Sequence, residues 1–217
     1  MRARQLIRVA AAVLRDGATP LLVARRAIRQ FDAIQRTWEL QSLVALVRQI
    51  KPMTVVEIGT YKGGTLTCWA AVAQPAAQII GIDMPFPWAN QEAITFSMGK
   101  VRTTLRPSQR LTVIAADSHD AATLVGLREA LAGALIDVLW IDGDHTYEGV
   151  RQDVQMYGEL VRPGGIVALH DIQRSDLFPD QQSDVYWQEL KAHARTREFI
   201  ADPTPGAGMG IGVIFVE

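Results

Sequence analysis

The amino-acid sequence predicts an α/β fold, in which seven strands form a doubly wound, mostly parallel sheet with a C-terminal antiparallel hairpin and an N-terminal helical extension. The first observation behind this prediction is that short apolar runs recur from residue 53 onward and alternate with segments of helical spacing. The second is that these runs are apolar almost throughout, which is typical of parallel strands covered by helices on both faces. The third is that residues 1–50 show helical spacing alone.

Two helices are predicted before the sheet, over residues 3–15 and about 20–50. Apolar side chains such as Leu6, Val9 and Val13 recur at helical intervals in the first of them. A break at Asp16 and Gly17 separates the two helices. We therefore divide the chain into an N-terminal helical segment, residues 1–50, and a main domain, residues 51–217.

The main domain is predicted to contain five strands that are each followed by a helix, and then a hairpin. The five strands cover residues 53–58, 78–83, 111–116, 136–142 and 166–170, and the helices cover about 63–74, 90–105, 119–132, 146–161 and 183–197. Two final strands are predicted at 198–202 and 211–216. The glycine-rich stretch 206–212 predicts a hairpin loop or a flexible loop between them.

The charge of the chain is unevenly distributed. The formal net charge is −1, so we expect no binding of nucleic acid by the molecule as a whole. Residues 1–50 nevertheless carry nine arginines against three acidic residues, whereas the remainder carries 13 basic and 20 acidic residues. The basic helical face, which includes Arg4, Arg8 and Arg15, is most often a solvated surface. The alternatives are contact with a membrane, a phosphate group of the substrate or a partner subunit, and we expect a homo-oligomer.

The single cysteine, Cys68, excludes a disulfide within the chain and a cysteine-based zinc site. This cysteine content indicates a reducing compartment, and we expect a cytoplasmic protein. The uncharged stretch between Lys62 and Asp83 has the length of a membrane span, but Gly63, Gly64 and Pro75 interrupt it. We therefore interpret it as part of the sheet domain.

Acidic residues lie at the end of each of the five central strands. The strand-end segments are 57–64 with Glu57, position 83 with Asp83, 117–118 with Asp117 and Ser118, 142–145 with Asp142, Asp144 and His145, and 170–171 with His170 and Asp171. In an open parallel sheet, ligands bind in the crevice beyond the carboxyl ends of the strands. We therefore expect a functional site along this edge, whereas His119 and His193 are predicted to be surface residues on helices.

The turn after the first strand predicts a ligand without a pyrophosphate. Its glycines at 59, 63 and 64 follow the pattern Gly-x-x-x-Gly-Gly, which differs from the pyrophosphate fingerprint Gly-x-Gly-x-x-Gly. Glu57 would repel a phosphate but accept a hydrogen bond from an ammonium group. Asp83, at the end of the second strand, is placed to accept both hydroxyls of a ribose. A ligand with a ribose and a positively charged end is therefore predicted.

These strand ends also carry a resemblance to a known family. The segment 55–64, read Val-Val-Glu-Ile-Gly-Thr-Tyr-Lys-Gly-Gly, resembles motif I of the class I S-adenosylmethionine-dependent methyltransferases, which have a Rossmann-like fold. The segments 140–149, 160–165 and 169–171 are similar to the subfamily of macrocin-type sugar O-methyltransferases and cephalosporin-hydroxylase-like proteins. The resemblance covers residues 50–217, and the ordered set of strand-end motifs makes it specific.

The resemblance implies a role for each matching residue. S-adenosylmethionine would be bound by residues of the first four strand ends, namely Glu57, Gly59, Thr60, Tyr61, Gly63, Asp83, Asp117, Ser118 and Asp142. A divalent metal such as Mg²⁺ would be held by Asp142, His170 and Asp171, and His145 would be the catalytic base. His170 departs from the pattern, because metal-dependent relatives carry a carboxylate there. Since Mg²⁺ prefers oxygen ligands, this departure weakens the metal assignment or favours a softer ion.

The expected activity is O-methylation of a small-molecule hydroxyl, in a sugar or a natural product, with help from a divalent metal. A hydroxyl is a poor nucleophile until it loses its proton, and a histidine is a suitable base near neutral pH. Acceptor-binding residues are expected in segments 1–50, 84–95, 172–185 and 203–210.

Other interpretations remain open at this point. A metal-dependent hydrolase or oxygenase would use the cluster of Asp142, Asp144, His145, His170 and Asp171. A protein that binds the cofactor without catalysis is a third candidate, and a nicotinamide oxidoreductase is disfavoured by the missing fingerprint. At the level of single residues, Asp144 and His145 could instead cap the helix that starts near Thr146.

Overall fold

The computed structural model describes residues 18–84 and 91–217, with residues 91–96 described in their backbone alone. The predicted helix over residues 3–15, with Arg4, Arg8 and Arg15 of the basic face, therefore lies outside the described residues. No helix in the described ranges combines the length and the apolar character that crossing a bilayer demands.

Seven strands form one sheet in the order β3-β2-β1-β4-β5-β7-β6. The strands are β1 (Thr54–Ile58), β2 (Gln78–Asp83), β3 (Arg110–Ala115), β4 (Ile136–Ile141), β5 (Val161–Ser175), β6 (Thr196–Phe199) and β7 (Ala207–Phe215). The neighbours among β1 to β5 pair in parallel, whereas β7 lies antiparallel to both β5 and β6. The predicted fold class, a mostly parallel sheet with a C-terminal antiparallel hairpin, is confirmed.

Helices cover both faces of the sheet, as the apolar strands require. The described helices are α1 (Pro20–Phe31), α2 (Thr37–Ile50), α3 (Gly64–Val72), α4 (Gln91–Arg102), α5 (Ala121–Leu131), α6 (Tyr147–Gly158) and α7 (Ser183–Lys191). Buried side chains of α1, α2, α3 and α4 pack with one face of the sheet, and those of α5, α6 and α7 pack with the other.

The predicted helix over residues 20–50 is two helices, and this prediction was wrong about the segment between them. Helix α1 begins at Pro20, with Thr19 as its N-cap, and ends where Asp32 adopts a left-handed conformation with φ 57°. Aspartate tolerates this conformation better than most residues, so it can end a helix as glycine does. The chain then runs over residues 32–36 before α2 begins at Thr37.

The C-terminal predictions were partly wrong. The glycine-rich stretch 206–212 lies mainly within β7 instead of forming a loop, and β6 begins at Thr196. Helix α7 ends at Lys191, six residues before its predicted end at 197. Strand β7 pairs along both edges, with β5 and with β6, and this backbone pairing outweighs the low strand preference of glycine.

Candidate active site

A cavity of about 790 Å³ opens at the carboxyl edge of the sheet. Its lining includes residues from the ends of all five parallel strands and residues of three further segments, 32–36, 175–181 and 207–209. The volume is within the range that small-molecule and cofactor sites occupy. The binding edge predicted from the strand ends and the observed cavity therefore coincide.

Asp83 is fixed at the cavity wall by the turn that follows β1. Its Oδ2 accepts the backbone N–H groups of Thr60 at 2.8 Å and of Tyr61 at 2.6 Å, and the Thr60 hydroxyl at 2.9 Å. Burial raises the pKa of Asp83, and the hydrogen bonds from Thr60 and Tyr61 oppose that rise. Thr60, Tyr61 and Asp83 all line the cavity, so this carboxylate is rigidly placed beside it.

Gly59 allows the end of β1 to approach the end of β4. It has φ 80°, and a Cβ atom there would lie 2.0 Å from the backbone oxygen of Asp142. The backbone N–H of Asp142 donates to the Ile58 oxygen at 2.8 Å across the same contact. A side chain at position 59 would therefore displace Asp142, which the sequence predicts to be a ligand residue.

Glu57 lies beneath the cavity and is absent from its lining. The side chain is fully buried, accepts the Thr65 hydroxyl at 2.5 Å and accepts the indole N–H of Trp69. Burial raises its pKa well above the ordinary value, against the lowering effect of these two hydrogen bonds. Gly63 is also absent from the lining and precedes α3 with φ 80°. These positions make both residues supports of the turn.

The end of β3 brings Asp117, Ser118 and His119 to the cavity. The Asp117 carboxylate accepts the backbone N–H of His119 at 2.9 Å. His119 was predicted on a helix surface, but it lies before α5 with its ring 3.5 Å from Asp117 and 3.5 Å from the buried Asp153. That prediction was wrong because α5 begins only at Ala121. His193 is exposed as predicted, but it lies after α7, which ends at Lys191.

Four predicted residues of β4 and β5 meet in one cluster. Nδ1 of His145 lies 3.0 Å from Oδ2 of Asp171, and Nδ1 of His170 lies 3.0 Å from Oδ1 of Asp142. Nδ1 of His170 is also 3.5 Å from Asp171, and Nε2 of His145 is 3.9 Å from Asp142. All four residues line the cavity.

A backbone irregularity in β5 lets neighbouring residues face the same cluster. Successive side chains of a regular strand point to opposite faces. Here Asp171 has φ 54°, and the pairing of β5 with β7 shifts register between His170 and Gln173. A bulge of this kind re-aims a side chain, so both His170 and Asp171 face the cluster.

The charges of the cluster stabilise one another. Burial would lower the pKa of His145, but the hydrogen bond to Asp171 and the charge of Asp142 outweigh it and raise the pKa. Burial would also lower the pKa of His170, but the nearby carboxylates outweigh it and raise the pKa well above its usual value. Conversely, burial would raise the pKa of Asp171, but the two imidazoles hold it well below its ordinary range.

The start of α6 is capped without His145. The Thr146 side chain accepts the Gly149 N–H at 3.1 Å, and Asp144 accepts the Thr146 N–H at 2.8 Å. Asp144 therefore supports the start of α6, as the capping alternative predicted for it. The imidazole of His145 does not cap the helix and points at Asp171.

The ligand atoms of Asp142, His170 and Asp171 lie within 4.8 Å of one another, which fits a metal ion. Two carboxylates and one imidazole suit Mn²⁺, Fe²⁺, Co²⁺ or Zn²⁺ better than Mg²⁺, whose usual ligands are oxygens. Nε2 of His170 is buried beside Trp140 and has no hydrogen-bond partner in the described ranges. The imidazole therefore has Nδ1, on the side of the carboxylates, to offer a cation.

Sequence reasoning included the segment between α1 and α2 among the acceptor-binding segments but did not identify its contact with Asp142. The Gln35 side chain donates from Nε2 to Oδ2 of Asp142 at 2.7 Å, and Arg36 donates to the Ala207 oxygen at 2.9 Å. A helix over residues 20–50 would be 31 residues long, beyond the usual 8–20 for globular proteins. That length, together with Asp32, was the signal for a break.

The cavity wall beside β5 and β7 is largely apolar. Leu177 is 83% exposed, Phe178 60% and Ile34 61%, and all three line the cavity. The segments predicted to bind an acceptor each contribute to the lining, at positions 32–36, 84, 175–181 and 207–209. Exposed apolar groups around a cavity are typical of a ligand-binding surface.

Comparison with known proteins identifies the family. The sequence model of a methyltransferase-domain family matches residues 56–172, which is 117 of the 217 residues. The chain belongs to this family of methyltransferase domains. The predicted membership in the class I methyltransferases is thereby confirmed, while the narrower resemblance to the macrocin-type subfamily stays a prediction.

Solved structures share the fold of this methyltransferase domain. The O-methyltransferase TomG from Streptomyces achromogenes, involved in tomaymycin synthesis and solved with SAM, aligns with a TM-score of 0.59 and 15% identity over 100% of this chain and 99% of its own. An O-methyltransferase from Bacillus cereus, solved with SAH, aligns with a TM-score of 0.61 and 15% identity. The alignment covers 96% of this chain and 97% of that protein. MycE from the mycinamycin pathway, solved with Mg, SAH and mycinamycin VI, aligns with a TM-score of 0.60 and 18% identity. The alignment covers 91% of this chain and 54% of MycE.

One curated relative is uncharacterized protein R132 of Acanthamoeba polyphaga mimivirus. It is 35% identical over 121 residues, which cover 56% of this chain and 52% of that protein. The chain thus matches about half the length of this relative.

Proposed function

We propose that this protein is an S-adenosylmethionine-dependent O-methyltransferase that acts on a hydroxyl group of a small molecule. The observation that carries the proposal is the pairing, in one cavity, of the fixed Asp83 carboxylate with the His145–Asp171 dyad. A methyltransferase needs to hold a nucleoside and to remove a proton nearby, and the two ends of this cavity supply these two groups.

The cofactor end of the proposed site comprises Gly59, Thr60, Tyr61, Asp83, Asp117, Ser118 and Asp142, with Glu57 and Gly63 as supports. Oδ2 of Asp83 is engaged by the turn after β1, and we infer that this fixed carboxylate accepts hydrogen bonds from the ribose hydroxyls. Bound S-adenosylmethionine would supply a methyl group on a positively charged sulfur. The acidic cavity favours that charge, because several carboxylates and a single arginine, Arg36, are among its lining residues.

In the proposed reaction, His145 removes the proton of the acceptor hydroxyl. Since Nδ1 of His145 contacts Asp171, the ring holds its other nitrogen, Nε2, as the proton acceptor. The acceptor oxygen then forms a bond to the methyl carbon while the carbon–sulfur bond breaks, which leaves the methylated product and S-adenosylhomocysteine. Positioning the two reactants in line is the main task of the protein in such a displacement.

Asp142, His170 and Asp171 are proposed to hold a divalent cation. A bound cation would lower the pKa of the acceptor hydroxyl. We infer that the acceptor, a natural product or a sugar derivative, lays an apolar part against Ile34, Leu177 and Phe178.

We also propose that the protein acts in the cytoplasm as a homo-oligomer. The support for a reducing compartment is that the sequence has one cysteine, Cys68, and therefore no disulfide within the chain. Size-exclusion chromatography with light scattering tests the oligomeric state.

The experiment that tests the function is thermal unfolding of the purified chain with S-adenosylhomocysteine, NADH and Mn²⁺ added separately. A ligand at 100 times its dissociation constant stabilises by about 2.7 kcal/mol, which raises the melting temperature of a chain this size by roughly 5–10 °C. We expect this shift with S-adenosylhomocysteine and none with NADH. A shift with Mn²⁺ but none with S-adenosylhomocysteine would favour a hydrolase or oxygenase. Binding without turnover of any hydroxyl acceptor would favour a non-catalytic protein.

A further inference from the structure

Gln35 makes a direct contact with the proposed cation centre. It lies in the segment between α1 and α2, and its side chain is 7% exposed although the neighbouring Ile34 is 61% exposed. Its Nε2 donates to Oδ2 of Asp142 at 2.7 Å, a contact between residues 107 positions apart. Because a carboxylate only accepts hydrogen bonds, the amide must present its nitrogen to Asp142.

Because of this hydrogen bond, the two carboxylate oxygens of Asp142 have different partners. Oδ2 is engaged by Gln35, while Oδ1 faces Nδ1 of His170 at 3.0 Å and Nε2 of His145 at 3.9 Å. The Asp142 carboxylate therefore has a fixed orientation. Oδ1 is the oxygen that lies beside His170.

The other half of the Gln35 amide has no partner among the described residues. Its Oε1 is buried without a hydrogen bond, and Gln35 lines the cavity. A buried carbonyl left unpaired costs about 1–3 kcal/mol. A side chain that served only to fasten the segment would be expected to satisfy both of its ends, so this amide is suited to a cavity that contains a ligand with an O–H or N–H group.

The segment that carries Gln35 is itself held in place. Ala33 packs so closely on Gly64 that a Cβ atom at position 64 would lie 2.6 Å from the Ala33 nitrogen. On the other side, Arg36 donates to the Ala207 oxygen at 2.9 Å. With anchors on both sides, the position of Gln35 relative to Asp142 is determined by the fold.

We propose that Gln35 is a positioning residue of the cation centre. Its amide nitrogen holds Asp142 so that one oxygen, Oδ1, ligates the cation together with His170 and Asp171. This inference rests on the metal centre of the proposed function. It assigns to the N-terminal segment a task in cation binding that the residues of the sheet alone do not perform.

The test is titration calorimetry of Mn²⁺ into the full chain saturated with S-adenosylhomocysteine, for the unaltered protein, Gln35→Met and Gln49→Met. Methionine has nearly the length of glutamine but donates no hydrogen bond, and Gln49 is exposed on α2. Loss of a partner that orients a metal ligand typically weakens metal affinity by 10–100-fold. We expect that loss in Gln35→Met, with Gln49→Met like the unaltered protein.

Three further results distinguish failure of the inference, of the metal centre and of the proposed function. If Gln35→Met lowers the melting temperature but leaves the Mn²⁺ affinity unchanged, Gln35 has a structural role and the inference is overturned while the metal centre stands. If the unaltered protein binds S-adenosylhomocysteine but no Mn²⁺, both the metal centre and the inference are overturned. If it binds neither, the proposed function itself fails.

Discussion

The imidazole of His145 illustrates how single residues acquire a task from their contacts. Its ring is 28% exposed, so it is reachable from the cavity, and Asp171 fixes one nitrogen at 3.0 Å. The carboxylate stabilises the protonated ring, which is the form that His145 takes after it accepts a proton. The same carboxylate leaves the second nitrogen as the base.

Replacing His145 with alanine is expected to reduce methyl transfer by about 10²–10⁴-fold, the usual contribution of a general base. S-adenosylhomocysteine binding should persist, because the cofactor contacts proposed at Asp83 and Asp117 are on other strands. The measurements are turnover by release of S-adenosylhomocysteine and its affinity by calorimetry. His193→Ala, at an exposed position, is the matched control. Full activity of His145→Ala would remove its assignment as the base.

Helix α2 shows how an element of the N-terminal segment is joined to the C-terminal strands. Glu39 on α2 is fully buried, and its carboxylate accepts the backbone N–H of Ala201 at 2.9 Å and of Gly210 at 3.2 Å. Buried side chains of α1 and α2 belong to the same core as β1, β4, β5 and β7. The basic segment that sequence composition sets apart is therefore packed against the sheet from residue 18 onward.

We expect Glu39→Ala to lower the free energy of unfolding by about 2 kcal/mol, since it leaves the buried Gly210 N–H without an acceptor. Urea denaturation followed by tryptophan fluorescence and by far-UV circular dichroism measures this loss. Because α2 shares its core with the sheet, both signals should shift together. Glu129→Ala, at an exposed position of α5, should change the stability by less than about 0.5 kcal/mol. Separate transitions in Glu39→Ala would mean that the helices unfold independently of the sheet.

At the scale of the whole molecule, one buried charge is expected to make stability depend on pH. Asp153 on α6 is fully buried, and burial raises its pKa to about 6, against the opposing effects of Ser118 and His119. The unfolded chain has the ordinary value of 3.8. Between these values the folded state binds more protons than the unfolded state, so this group makes stability fall as pH rises from about 4 to about 6.

Asp153→Asn should remove this component of the pH dependence. A pKa difference of about two units corresponds to roughly 3 kcal/mol, so the stability of the variant relative to the unaltered protein should rise by about that amount between pH 4 and pH 7. Urea denaturation at both pH values measures the change. Asp180→Asn, at an exposed position, should leave the pH dependence as it is. Parallel pH curves for Asp153→Asn and the unaltered protein would contradict the assignment.

Most of the sheet and the location of the site could be predicted from local patterns. The runs at 54–58, 78–83 and 136–141 are buried strands, and their ends carry Asp83 and Asp142 as predicted. Periodicity reports which side of an element is buried, and strand order places the carboxyl ends on one edge. Periodicity does not report depth: Glu57 is buried against Thr65 and Trp69, and its role in binding the cofactor stays a prediction.

The sequence by itself determined the succession of strands and helices, the edge of the sheet where the site lies, and the family to which its motifs are similar. These features depend on residues close together in the chain. The tertiary structure decided that His170 and Asp171 face one cluster, and that Gln35 reaches Asp142 across 107 positions. The first depends on a shift in strand pairing and the second on how α1 and α2 pack over the sheet, and neither leaves a periodic signal in the sequence.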